Sequence, residues 1–174
     1  MSKRLNIFLT GLMGSGKSRV GRQVATILKM EFVDTDSMIE NKMGQTINEI
    51  FAAWGEVCFR EKEAALLAAL VESGNQVVAT GGGMLANSAN LKLALASGFV
   101  VYLKAGPDLL AKRLAEATDR PLLDDADPAA KLAQLLKSRR GYYEAAHLTL
   151  NVNELDIDQA AARIAEEYRV WLAE

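Results

Sequence analysis

The chain has 174 residues and 50% hydrophobic content, enough for one sizeable core, so a single domain over 1–174 is expected. A net charge of -2 and a pI near 5.6 leave no basic excess to neutralise nucleic acid or an anionic membrane, which excludes both and favours a small-molecule partner. The lone Cys58 and the lone His147 can form neither an internal disulfide nor a Cys/His zinc set, and both read as structural.

In chain order, MSKRLNIFLTGLMG puts Lys3 and Arg4 before an apolar run, as a secretory leader does. The run is broken by Asn6, Thr10 and two glycines, and no A-x-A cleavage site follows. No other segment approaches the roughly 18 apolar residues that span a membrane, so a cytoplasmic location is expected. Residues 5–10, LNIFLT, read as a buried strand followed at once by GLMGSGKS. Gly11, Gly16, Lys17 and Ser18 satisfy G-x-x-x-x-G-K-S/T, and a helix over 17–29 with Val20, Val24, Ile27 and Leu28 on one face follows. Glycines let successive N–H groups curl inward and the helix adds its positive end, so the loop can solvate phosphate oxygens. Lys17 would bridge the terminal phosphates and Ser18 would offer its hydroxyl to magnesium. The competing reading is a chance glycine turn; nucleotide binding is the inference. A guanine-specific switch protein is excluded, because the nearest approach to N-K-x-D, Asn41-Lys42-Met43-Gly44, lacks the aspartate.

The second strand, EFVDTD at 31–36, ends in Asp34 and Asp36, and alternation turns both carboxylates to one side. One can hold a magnesium shell through water while the other accepts a hydrogen bond from the hydroxyl being phosphorylated. Capping of a helix at Ser37-Met38-Ile39 is the plainer role. Ile47, Ile50, Phe51, Trp54 and Cys58 continue at helical spacing into 61–72 and read as core. Arg60 lies in FREKE, and Arg139 lies four residues before Tyr143. A guanidinium grips a carboxylate through two parallel hydrogen bonds, although a surface pair of Arg60 with Glu63 at i, i+3 is the plainer alternative. QVVAT at 76–80 predicts the third strand and runs into Gly81, Gly82 and Gly83, which remove every side chain where something must approach the backbone; a flexible turn is the alternative. Gly81 to Ala86 also fits G-x-G-x-x-A, but the acid that a dinucleotide fold needs about 20 residues on is replaced by Lys104.

FVVYL at 99–103 and HLTLNV at 147–152 complete the strands, and their alternation with helices predicts an α/β fold with a parallel sheet. Gly106-Pro107-Asp108 opens a helix, after which AEATDRPLLDDADP at 115–128 carries two prolines, four aspartates and little periodicity. That segment is a candidate mobile loop, or a plain solvated connection. A last helix, about 156–172, aligns Ile157, Ala161, Ile164, Tyr168 and Trp171.

Together, GLMGSGKS, DTD, FREKE, TGGG, DRPLL and R-x-x-x-Y resemble shikimate kinase of the bacterial and plant type, in order and spacing, over nearly the whole chain. The resemblance implies a three-layer P-loop fold with a five-stranded parallel sheet flanked by helices, a shikimate-binding helical region at about 34–62 and a lid at about 112–127. It implies transfer of the ATP γ-phosphate to the 3-hydroxyl of shikimate, a step towards chorismate and the aromatic amino acids, with Mg2+ accompanying ATP. Lys17, Asp36 and Arg120 become the catalytic set. Gly14, Ser15, Gly16, Lys17, Ser18, Arg19, Arg113 and Arg120 fall on ATP. Asp36, Arg60, Gly82, Gly83 and Arg139 fall on shikimate, and Ser18 with Asp34, the latter through water, on the metal. Arg140-Gly141-Tyr142 stands where many relatives carry proline and leucine, which leaves Arg139 and Arg140 both open as the carboxylate ligand. A monomer is expected. A kinase for another hydroxy acid such as gluconate, and a non-catalytic nucleotide-binding module, are the alternatives.

Overall fold

Along a strand, successive side chains enter opposite faces of the sheet, and burial here obeys that period. Ile7, Leu9, Val77, Phe99 and Val101 pack into one core with Val20, Val24 and Tyr168. Phe8, Val78 and Val100 enter a second core with Leu67, Leu70 and Leu91. Strands apolar on both faces need a helical layer on each side, which yields three layers.

The computed structural model describes residues 5–116 and 127–173. Its elements are β1 (Asn6–Thr10), α1 (Lys17–Leu28), β2 (Glu31–Asp34), α2 (Thr35–Met43), α3 (Ile47–Ser73), β3 (Gln76–Ala79), α4 (Ser88–Ser97), β4 (Gly98–Lys104), α5 (Pro107–Glu116), α6 (Pro128–Tyr143), β5 (Leu148–Asn151) and α7 (Ile157–Trp171). The five strands are parallel in the order β2-β3-β1-β4-β5. Helices α1, α5, α6 and α7 cover the first core, and α3 and α4 the second. Because the chain crosses from β1 to β2 and returns through β3 before reaching β4, the switch point lies beside β1, where open α/β sheets bind ligands. The loops after β1, β2 and β3 all leave from that carboxyl edge. Among the described residues, no helix is long and apolar enough to cross a membrane.

Two sequence expectations are corrected. The second strand stops at Asp34, and Asp36 lies in the first turn of α2, so strand alternation does not orient this pair. The cause is local: Asp34 accepts a hydrogen bond from the Ser37 N–H at 3.3 Å and caps the helix. Trp54 is not core but 60% exposed. Its indole N–H donates to Gln45 Oε1 at 3.2 Å at the surface, just before Gly55, at φ 77 and ψ 170, interrupts α3.

Candidate active site

Helices α2, α3, α4, α6 and α7 each begin beneath a side-chain cap. Helix α1 does not: it starts at Gly16, φ 95, with no capping side chain and no acid in its first turn. Its N-terminal N–H groups and the positive end of its dipole are therefore directed into the glycine loop, an arrangement suited to phosphate. Lys17 Nζ donates to the carbonyls of Gly11 at 2.8 Å and Leu12 at 2.9 Å, which holds the ammonium over the loop. Ser15 Oγ is buried and has no hydrogen-bond partner among the described residues. Arg113, from α5, donates to the Gly14 carbonyl at 3.3 Å, while Arg19 is exposed on α1.

Ser18 Oγ donates to Asp34 Oδ2 at 2.6 Å. A hydroxyl and a carboxylate this close beside the phosphate loop are hard oxygen donors, and they fit magnesium, which draws its remaining ligands from water and nucleotide.

The triple glycine joins this end to the other. A Cβ on Gly82 would stand 3.4 Å from the Gly11 carbonyl and 3.6 Å from Arg139 Nη1, so one residue touches both the phosphate loop and an arginine. On Gly81 a Cβ would stand 2.5 Å from Asp36 Oδ1 and 3.0 Å from Glu63 Oε1. On Gly83 it would overlap the Arg60 guanidinium, 2.8 Å from Cζ. Any side chain here would push apart the groups that the loop gathers. The loop is pinned by the Gly81 N–H donating to buried Thr35 Oγ1 at 2.9 Å and by the Tyr143 hydroxyl donating to the Gly82 carbonyl at 2.6 Å. Tyr143 is fully buried, stacked on Tyr102 at 5.0 Å, and burial pushes its pKa up.

Arg60 carries two acids. Nη1 donates to Glu63 Oε2 at 2.6 Å, and Nη2 to Glu56 Oε1 at 2.9 Å. Burial disfavours the charge on Arg60, but these acids hold its pKa above the ordinary value. Glu63 is only 1% exposed; burial pushes its carboxyl up, Arg60 and Arg139 pull it down, and Asp36 pushes it up. The surface pair expected at i, i+3 is thus half-buried and part of the site. Arg140 donates to both oxygens of Glu144 at 3.0 Å and faces away, whereas Arg139 lies beside Gly82.

Asp36, Arg60, Gly82, Gly83 and Arg139 are therefore brought together, and Lys17, Ser18 and Asp34 lie on the far side of the same glycines. Arg120 and most of the expected lid lie outside the described residues. Glu63 and Tyr143 are not picked out as site residues from sequence. FREKE and R-x-x-x-Y contain them, but their roles arise from contacts of α3 and α6 with the glycine loop after β3. His147, remote from this cleft, accepts the Val100 N–H on Nδ1 at 3.0 Å, a structural role as expected.

The family model for shikimate kinase matches residues 13–169. The chain belongs to the shikimate kinase family. A shikimate kinase of Symbiobacterium thermophilum is 41% identical over 166 residues, covering 94% of this chain and 95% of that one. One from Caldanaerobacter subterraneus subsp. tengcongensis is 37% identical over 163 residues, with 94% and 95% covered. The solved shikimate kinase from Acinetobacter baumannii in complex with shikimate superposes with a TM-score of 0.91 at 38% identity, covering 98% of this chain and 96% of that one. Membership of the shikimate kinase family makes the chain a kinase. These matches favour neither the gluconate reading nor the non-catalytic one.

Proposed function

We propose that this chain transfers the γ-phosphoryl group of ATP to the 3-hydroxyl of shikimate, giving ADP and shikimate 3-phosphate on the route to chorismate and the aromatic amino acids. The observation that carries the reading is Gly82, wedged between the Gly11 carbonyl of the phosphate loop and Arg139, with Asp36 and Arg60 against its two neighbours. Donor and acceptor positions thus share one backbone wall.

The glycine loop from Gly14 to Gly16, the N terminus of α1 and Lys17 hold the ATP phosphates, with Arg19 and Arg113 on the nucleotide side. Ser18, with Asp34 behind a water, would hold magnesium, which when bound neutralises charge on the β- and γ-phosphate oxygens. Arg60 and Arg139 grip the shikimate carboxylate, Gly82 and Gly83 admit the ring against the backbone, and Asp36 accepts the hydrogen bond of the 3-hydroxyl. In the transfer, a bond forms between that oxygen and the γ-phosphorus, and the bond to the bridging β–γ oxygen breaks. The hydroxyl proton passes to Asp36 and then to solvent. Positioning and charge neutralisation supply most of the acceleration in such a step. On the family resemblance, Arg120 supplies positive charge to the ATP phosphates. The reading takes the chain to act as a monomer, and ATP as co-substrate suits a cytoplasmic location.

The test is the position of the new ester. After incubation with MgATP and shikimate, phosphorus–proton correlation by NMR should connect the phosphorus to the proton on C3. Phosphate on another hydroxyl, or no new ester, would overturn the proposal.

A further inference from the structure

Arg60 is held by two acids of its own helix. Glu63 Oε2 takes Nη1 at 2.6 Å, while Glu56 Oε1 accepts from Nη2 at 2.9 Å and from Nε at 3.2 Å. Glu56 takes both nitrogens of the Nε–Nη2 edge, an edge through which a guanidinium grips a carboxylate by two parallel hydrogen bonds, so an acceptor carboxylate arriving there must displace it. The two acids are unequal competitors. Glu63 is 1% exposed, walled in by Gly81 and beside Asp36, and moving it off Arg60 would leave a buried carboxylate unpaired. Glu56 is 64% exposed and can return to water at little cost. It also follows Gly55 directly, where the helix is interrupted at φ 77 and no atom lies within 4 Å of a would-be Cβ.

We propose that Glu56 is an internal competitor for the carboxylate of the acceptor. It occupies the Nε–Nη2 edge of Arg60, is displaced when the substrate carboxylate arrives, and so sets the affinity for the acceptor without touching the reacting atoms. The charge around the site points the same way. With Glu56 on Arg60, three acids (Glu56, Glu63 and Asp36) face two arginines (Arg60 and Arg139), and a further carboxylate is poorly received. With Glu56 released to solvent, the count is balanced and the guanidinium edge is open. The device also selects: an acid that cannot engage Arg139 and Asp36 as well gains too little to displace a carboxylate already in place. The inference rests on the reading of Arg60 as an acceptor ligand.

The test is Glu56→Gln, which keeps the shape and removes the charge. The expected result is a shikimate KM lowered by about 2- to 5-fold, the range for one exposed ion pair, with kcat and the ATP KM unchanged. The gain should shrink as salt is raised, and shikimate binding without nucleotide should tighten in parallel. In an Arg60→Ala background the same substitution should have no effect. A raised KM in Glu56→Gln would show that Glu56 holds Arg60 in its working pose, and an unchanged KM would show a contact without consequence; either overturns the inference. An equal gain in the Arg60→Ala background would mean general repulsion of anions rather than competition for Arg60, and would overturn it too. If Arg60→Ala by itself leaves the shikimate KM unchanged, it is the underlying assignment of Arg60 that fails.

Discussion

Asp36 and Glu63 face the same glycine, and their surroundings divide their labour. Asp36 is half-buried at the start of α2, on the side of Gly81 that meets the cleft, whereas Glu63 is sealed in and bonded to Arg60. Asp36→Asn should therefore act on turnover, lowering kcat by about 100-fold or more, the usual range for a lost general base; a kcat near that of the parent would remove Asp36 from the chemistry. Arg60→Ala should raise the shikimate KM by about 10-fold or more, at the lower end for a broken charge pair because Arg60 is a third exposed, and should leave the ATP KM within about 2-fold. Most of these side chains were legible in the sequence because short motifs fix them: the phosphate loop, the DTD acids and the arginines of FREKE and R-x-x-x-Y. Glu63 was not, since an arginine and a glutamate at i, i+3 look the same in sequence whether the pair is exposed or buried. What buries this one is Gly81, eighteen residues on and brought over it by β3.

Helix α6 meets the glycine loop through Arg139 and Tyr143, the latter with its hydroxyl on the Gly82 carbonyl. Tyr143→Phe should cost about 1 kcal/mol, one buried hydrogen bond, in a denaturant titration, and should raise the shikimate KM by loosening the glycine wall. At the other end of the sheet, His147 joins the segment before β5 to β4. Its Nδ1 accepts the Val100 N–H, and burial keeps its pKa below 6.5. A histidine whose folded pKa is lowered contributes stability that is complete above 6.5 and is lost as pH falls towards the folded value. The Tm of the parent should therefore drop over that interval more steeply than that of His147→Phe; parallel curves would deny His147 the role. Strand positions were legible to within a residue or two because runs apolar on both faces are distinctive. The end of β2 was misread because a capping aspartate and a strand aspartate share one letter. Trp54 keeps the helical spacing of Ile47 and Ile50 yet lies at the surface on Gln45, because apolar spacing alone does not distinguish a covered stripe from an open one.

The parallel sheet turns three separate loops into one cleft. With β1 between β3 and β4, the carboxyl ends of β1, β2 and β3 lie side by side, so residues far apart in sequence, Lys17, Asp36 and Gly82, line one opening. The fold class and the phosphate loop followed from periodicity and spacing, and physics alone stretched to a kinase for a compact hydroxy acid. Shikimate itself came from family likeness, because two arginines and a glycine wall would also suit gluconate. Phosphoryl transfer to shikimate is tested most directly by ADP release from MgATP measured with shikimate, with gluconate and with no acceptor. Release should be rapid with shikimate and only at background in the other two. Equal rates with and without shikimate, or faster release with gluconate, would contradict transfer to shikimate.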